Sequence, residues 1–212
     1  MKKPVLIFDF DGTIADTFLY TLNLSNRLAS EFKYKRIRLT EIDLLKDKTS
    51  QEVARHLEVP FMKIPLIVAR ARAELQKDID SIEPVMGLKI VLDQLKSLGH
   101  TMGILTSNSL PNVNRFLQAH ELNLFDFVNT TSRVWGKNRP LRSLTHSNGF
   151  ELTQLLYVGD ETRDIEAAKK AGIKVAAVAW GYNSRRALEK HEPDYLLEKP
   201  QELLNICRDW SI

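Results

Sequence analysis

Val5-Leu6-Ile7-Phe8-Asp9-Phe10-Asp11-Gly12-Thr13 places two carboxylates at the end of a short apolar run. β-Branched and aromatic residues bounded by glycine read as an interior strand, and side chains two apart on a strand share a face. Asp9 and Asp11 therefore converge. Like charges so close repel and lose hydration, so a cation or a shared proton must compensate them. Paired acids at a strand's carboxyl end also suit nucleophilic and general-acid chemistry. A plain Asp-Gly turn opening a helix accounts for the same residues, and the rest of the chain decides between the two readings.

Further buried strands are predicted at Met102 to Leu105, Phe127 to Asn129, Leu155 to Val158 and Val175 to Ala179, all short apolar runs without alternation. Such runs belong to a sheet covered on both faces. Helical patterns separate them. Leu88, Val91, Leu92, Leu95 and Leu98 keep helical spacing up to Gly99, Pro111 begins a second helix, and Thr162 to Ala171 forms a third ending at Gly172. Strand and helix in alternation mean a doubly wound parallel sheet of the α/β class.

One stretch breaks that alternation. Between Thr17 and Glu83 there are helix signals and no convincing strand. Phe18, Leu22, Leu28 and Phe32 share a face, Thr49-Ser50-Gln51-Glu52 has capping-box form, and Pro65 stands at a first helical turn ahead of Leu66, Ala69, Ala73 and Ile79. The expected organisation is a Rossmann-like core of residues 1–16 and 84–212, with a small all-helical cap, 17–83, inserted after the first strand.

Ligands of open parallel sheets bind beyond the carboxyl ends of the strands. The second core strand ends in Thr106-Ser107-Asn108, whose hydroxyls and amides suit an oxyanion or phosphate. Leu155 to Val158 runs into Gly159-Asp160-Glu161-Thr162-Arg163-Asp164, which adds Asp160 and Asp164 at the same edge. Four acids at neighbouring strand ends call for a divalent cation, and hard oxygen ligands describe Mg²⁺. Lys137, in the loop after the third strand, is the favoured cation for a phosphate oxygen, with Arg133, Arg139 and Arg142 as competitors.

The bulk properties narrow the function. The chain has 212 residues, 43% of them apolar, enough for a sizeable core. Its 30 basic and 27 acidic residues are scattered, so nucleic-acid binding is not indicated. Cys207 is the single cysteine, which rules out an internal disulfide and suits a reducing, cytoplasmic compartment. No segment approaches the roughly 20 apolar residues of a membrane span, and none specifies an oligomeric state.

Asp9-Phe10-Asp11-Gly12-Thr13, Thr106, Lys137 and Gly159-Asp160-Glu161-Thr162-Arg163-Asp164 together resemble the haloacid dehalogenase superfamily in order and position, and the stretch from Tyr157 to Ala168 looks closest to its phosphoglycolate phosphatase-like branch. The resemblance implies a type 1 cap and hydrolysis of a small phosphorylated metabolite, a phosphoglycolate-like phosphomonoester. It implies Asp9 as nucleophile, Asp11 as general acid and base, and Thr106, Ser107 and Lys137 as holders of the phosphoryl group. Mg²⁺ would be bound by the Asp9 carboxylate, the main-chain carbonyl of Asp11 and Asp160, with Asp164 at the metal site orienting ligands or a bound water. The lysine motif departs from the family's usual Lys-Pro-x-Pro, reading Lys137-Asn138-Arg139-Pro140. A phosphomutase resembling β-phosphoglucomutase and a non-catalytic binding protein on the same scaffold are the alternatives.

Overall fold

The computed structural model describes residues 3–131, 140–143 and 149–210. One parallel sheet contains β1 (Val5–Phe8), β2 (Met102–Thr106), β3 (Phe127–Thr130), β4 (Leu155–Gly159), β5 (Lys174–Val178) and β6 (Tyr195–Leu197), ordered β3-β2-β1-β4-β5-β6. β1 lies between β2 and β4, where strand order reverses and open α/β sheets place their ligands. Five strands match the expectation. β6 escapes the sequence because three residues flanked by charged ones give no periodicity.

The apolar runs follow from a sheet covered on both faces. Leu6, Phe8, Leu156 and Val158 enter one core, while Val5, Ile7, Leu155 and Tyr157 enter the other. Helices α1 (Phe18–Phe32), α2 (Ile42–Lys46), α3 (Ser50–His56) and α4 (Ile64–Asp78) fill the space in sequence between β1 and α5 (Leu88–Ser97). They are followed by α6 (Leu110–Ala119), α7 (Thr162–Ala171), α8 (Arg185–Glu189) and α9 (Glu202–Arg208). The first core takes Leu88, Val91, Leu92 and Leu95 of α5 and Val113 and Phe116 of α6. It also takes Leu203, Ile206 and Trp210 of the tail, which packs inward. Ile165, Ala168 and Ala171 of α7 close the other face. Among the described residues no helix is long and apolar enough to cross a membrane.

The helical insert is a cap. Its α1 and α4 pack on each other, and the expected capping box opens α3: Glu52 N–H donates to Thr49 Oγ1 at 3.3 Å, and Thr49 N–H to Glu52 Oε2 at 2.8 Å. Of the apolar residues after Pro65, Ile79 is fully buried and the others named lie on the outer edge of α4. Leu66, Ala69 and Ala73 face solvent, Leu66 with 62% exposure, whereas Val68, Ala71, Arg72 and Leu75 face inward. Arg72 shares that inward edge, and its guanidinium donates to the Ser107 carbonyl on the core.

A polar clasp holds the cap loop 46–50 down. Asn183 is buried, and its Nδ2 donates to the carbonyls of Lys46 and Lys48, each at 2.9 Å. Its Oδ1 accepts from Thr162 N–H at 2.9 Å, at the start of α7. Ser184 N–H also donates to Lys46 O at 2.9 Å, and Ser50 Oγ donates to Glu161 Oε2 at 2.6 Å. Ser184 and Arg186 both donate to the Asp47 carboxylate.

Two outcomes are expected. Leu92→Ala, which empties a fully buried site on α5, lowers stability by about 2–5 kcal/mol, read by urea unfolding. Asn183→Ala removes the partner of the Lys48 carbonyl and the Thr162 amide and leaves Lys46 O with Ser184 N–H alone, a loss of about 1–3 kcal/mol. Amide hydrogen exchange should then speed up at residues 46–50 and stay slow in α5.

Candidate active site

Phe8, the last residue of β1, is in register with Ile104 and Val158, so β4 runs one residue further and β2 two. Asp9 follows β1, Asp160 follows β4 and Thr106 closes β2, all three buried. Carboxylate oxygens of Asp9, Asp160 and Asp164 lie within 4.8 Å of one another. Local structure fixes each acid. Asp9 N–H extends the ladder to Val158 O at 2.8 Å, and Phe10 N–H donates to Asp9 Oδ1 at 2.8 Å. The buried Phe10 ring stands edge-on to Phe116, with centroids 5.1 Å apart. Asp160 accepts from Thr13 Oγ1 at 2.7 Å and from Tyr182 N–H at 2.8 Å, and Asp164 accepts from Glu161 N–H at 3.1 Å.

Two glycines make room for Asp160. A Cβ on Gly181 would stand 2.2 Å from Asp160 Oδ2, and one on Gly12 2.3 Å from it. Gly12 also holds φ at 74°, the left-handed region that L side chains resist.

Asp9 and Asp11 take different places, Asp9 in the three-acid cluster and Asp11 on Asn108. β1 ends at Phe8, and the chain then turns, with Ile14 and Ala15 N–H donating to Phe10 O at 2.9 and 3.0 Å. Strand alternation therefore does not govern this pair. The half-buried Asp11 carboxylate lies outside the three-acid cluster, and Asn108 Nδ2 contacts both of its oxygens at 3.1 Å.

Thr106 Oγ1 accepts from Asn108 N–H at 3.0 Å, and Ser107 is half-buried, with its carbonyl held by Arg72. Lys137, Arg133 and Arg139 lie outside the described residues. Arg142 is directed elsewhere. It donates to the carbonyls of Lys170 at 3.1 Å and Ala171 at 3.3 Å, at the far end of α7 from Asp164.

Asn108, already read as part of the Thr106-Ser107-Asn108 turn, shapes the site together with Tyr182, Asn183 and Arg72, which the sequence reading did not single out. Tyr182 Oη donates to Thr21 Oγ1 at 2.7 Å and lies 3.1 Å from Thr17 Oγ1, joining the core to the start of the cap. The strand-end rule, applied to the residues after β5, points to Tyr182 and Asn183. Arg72 leaves no such signal.

Burial, and after it the charges of Glu161, Asp164 and Asp9, push the Asp160 carboxyl well above the usual carboxylate range. Burial likewise raises the Tyr182 hydroxyl, with the Asp11 carboxylate adding to it. Three clustered, buried, oxygen-only donors fit a hard divalent cation. Beside them, Asp11, Ser107 and Asn108 open onto a cavity of about 390 Å³ beneath the cap.

The haloacid dehalogenase-like hydrolase family model matches residues 6–178. The phosphoglycolate phosphatase of Synechococcus elongatus is 34% identical over 200 residues, covering 94% of each chain. The pyrophosphatase PpaX of Bacillus velezensis is 28% identical, over 97% of this chain and 96% of its own. In structure, a haloacid dehalogenase-like family protein from Streptococcus pneumoniae shares the fold with a TM-score of 0.80, at 20% identity over 96% of this chain and 97% of that one. By its sheet, its strand-end acids and its relatives, the chain belongs to the haloacid dehalogenase-like hydrolase family.

Proposed function

We propose that this protein is a Mg²⁺-dependent phosphatase that hydrolyses a small phosphomonoester through an aspartyl-phosphate on Asp9. Residues 17–83 act as the cap domain over a core of 1–16 and 84–212. The observation that carries this reading is the division of labour among the acids: Asp9, Asp160 and Asp164 form one buried cluster, while Asp11 stands apart on Asn108. The names of the relatives, a phosphoglycolate phosphatase and a pyrophosphatase, support hydrolysis at phosphorus in small molecules.

In the first step an Asp9 oxygen attacks phosphorus, the bond to the leaving oxygen breaks, and that oxygen takes a proton from Asp11. In the second, Asp11 takes a proton from the water that attacks the aspartyl-phosphate, releasing phosphate and regenerating Asp9. The Asn108 amide donates to the Asp11 carboxylate and so orients the acid that handles the proton. Thr106, Ser107 and Lys137 hold the phosphoryl oxygens. Asp9, Asp160, Asp164 and the Asp11 carbonyl would hold Mg²⁺. When bound, Mg²⁺ supplies the charge that screens Asp9 from an anionic substrate.

Asp9→Asn is expected to abolish phosphate release from an aryl phosphate while substrate still binds, and Asp11→Asn to slow turnover roughly 10²–10⁴-fold. Inorganic phosphate release distinguishes hydrolysis from transfer between hydroxyls, and wild-type protein no faster than Asp9→Asn with any divalent metal overturns the reading. In chelator, the raised Asp160 carboxyl keeps in the folded protein a proton that the unfolded chain releases. Its contribution to metal-free stability is therefore fully present below the ordinary carboxylate range and is lost as pH rises from there to the raised value. Near neutral pH, Mg²⁺ should raise the melting temperature, and Asp160→Asn should remove that rise.

A further inference from the structure

The cavity beneath the cap is larger than a phosphoryl group requires and is apolar away from the core. At about 390 Å³ it falls within the roughly 300–1,000 Å³ range of small-ligand sites. Two helices face it with the same spacing. Phe18, Thr21, Leu22 and Ser25 of α1 line it at i, i+3, i+4 and i+7, and Val68, Ala71, Arg72 and Leu75 of α4 repeat the pattern. Leu45 and Val53 close it from α2 and α3. An inward stripe at this spacing normally meets another stripe and packs, but here it borders open volume that continues to the Asp11 carboxylate.

Among the described residues four cations line this wall, Arg72, Lys46, Lys48 and Arg163, and Arg163 donates to the Glu161 carboxylate. Arg72 donates to the Ser107 carbonyl, and Lys46 Nζ lies 4.5 Å from the centre of the Phe18 ring. They hold the core and the α1 edge of the cavity. Asp11, the proposed proton donor to the leaving oxygen, sits at the polar end, so the group attached to that oxygen extends into the apolar volume.

Building on the phosphatase reading, we infer that the cap selects phosphomonoesters whose alcohol carries an apolar body, an alkyl chain of about four or more carbons or an aromatic ring, over small anionic leaving groups. Val68, Ala71 and Val53 form the wall that the apolar body meets.

The test compares ethyl, butyl, hexyl and phenyl phosphate with phosphoglycolate and pyrophosphate, under Mg²⁺. On the proposal, kcat/KM rises roughly fourfold per added methylene until the cavity is filled, and Val53→Phe and Val68→Phe each reduce the hexyl-to-ethyl ratio at least tenfold. A ratio independent of chain length, or phosphoglycolate or pyrophosphate preferred to butyl phosphate, overturns the inference and leaves the phosphatase reading standing. Should no phosphate ester turn over, that reading fails. Calorimetry with methyl-, butyl- and hexylphosphonate then decides the inference separately: affinity rising with chain length upholds the apolar wall, and equal affinities refute it.

Discussion

The structure depends on keeping three carboxylates together at the buried edge of an apolar sheet. Nothing in β1 or β4 alone demands this. It follows from their parallel register, which brings Phe8 level with Val158 and so sets Asp9 beside Asp160. Burial strengthens repulsion among such groups and removes the water that would screen it, so the surrounding chain is arranged around them. Thr13 and Tyr182 donate to Asp160, Phe10 N–H donates to Asp9, and Gly12 and Gly181 leave space that no side chain shares.

The core was legible because its signals are dense and redundant. Runs such as Val5-Leu6-Ile7-Phe8 specify strands buried on both sides, and the acids after them inherit their places from the sheet. The relation between Asp9 and Asp11 was not legible from alternation, since the strand ends before Asp9 and a turn sets the next angles. In the cap, apolarity named the helical stretch, and of the apolar residues read after Pro65, Ile79 is fully buried while Leu66, Ala69 and Ala73 face outward. A basic residue, Arg72, points inward there, and its partner is a carbonyl distant in sequence. Such a contact leaves no periodic trace. The Asn108 contact to Asp11 is likewise side chain to side chain across 97 positions, visible only once the sheet is assembled.

Cap and acid cluster are mechanically joined through a few residues after β5. Tyr182 gives its amide to Asp160 and its hydroxyl to Thr21, so one residue touches an acid of the cluster and the first helix of the lid. Asn183, next in sequence, ties the cap loop to the start of α7. Small displacements of the cap therefore reach the Asp160 loop through hydrogen bonds of ordinary length, without a long relay.

The Asn183 clasp grips the cap loop by the carbonyls of Lys46 and Lys48 and leaves their side chains out of the bond. Main-chain recognition is indifferent to residue type. The loop can thus exchange side chains at 46 and 48, and with them the chemistry facing the cavity, while the latch stays intact. Attachment and surface chemistry are carried by different atoms of the same loop, main chain for the one and side chains for the other.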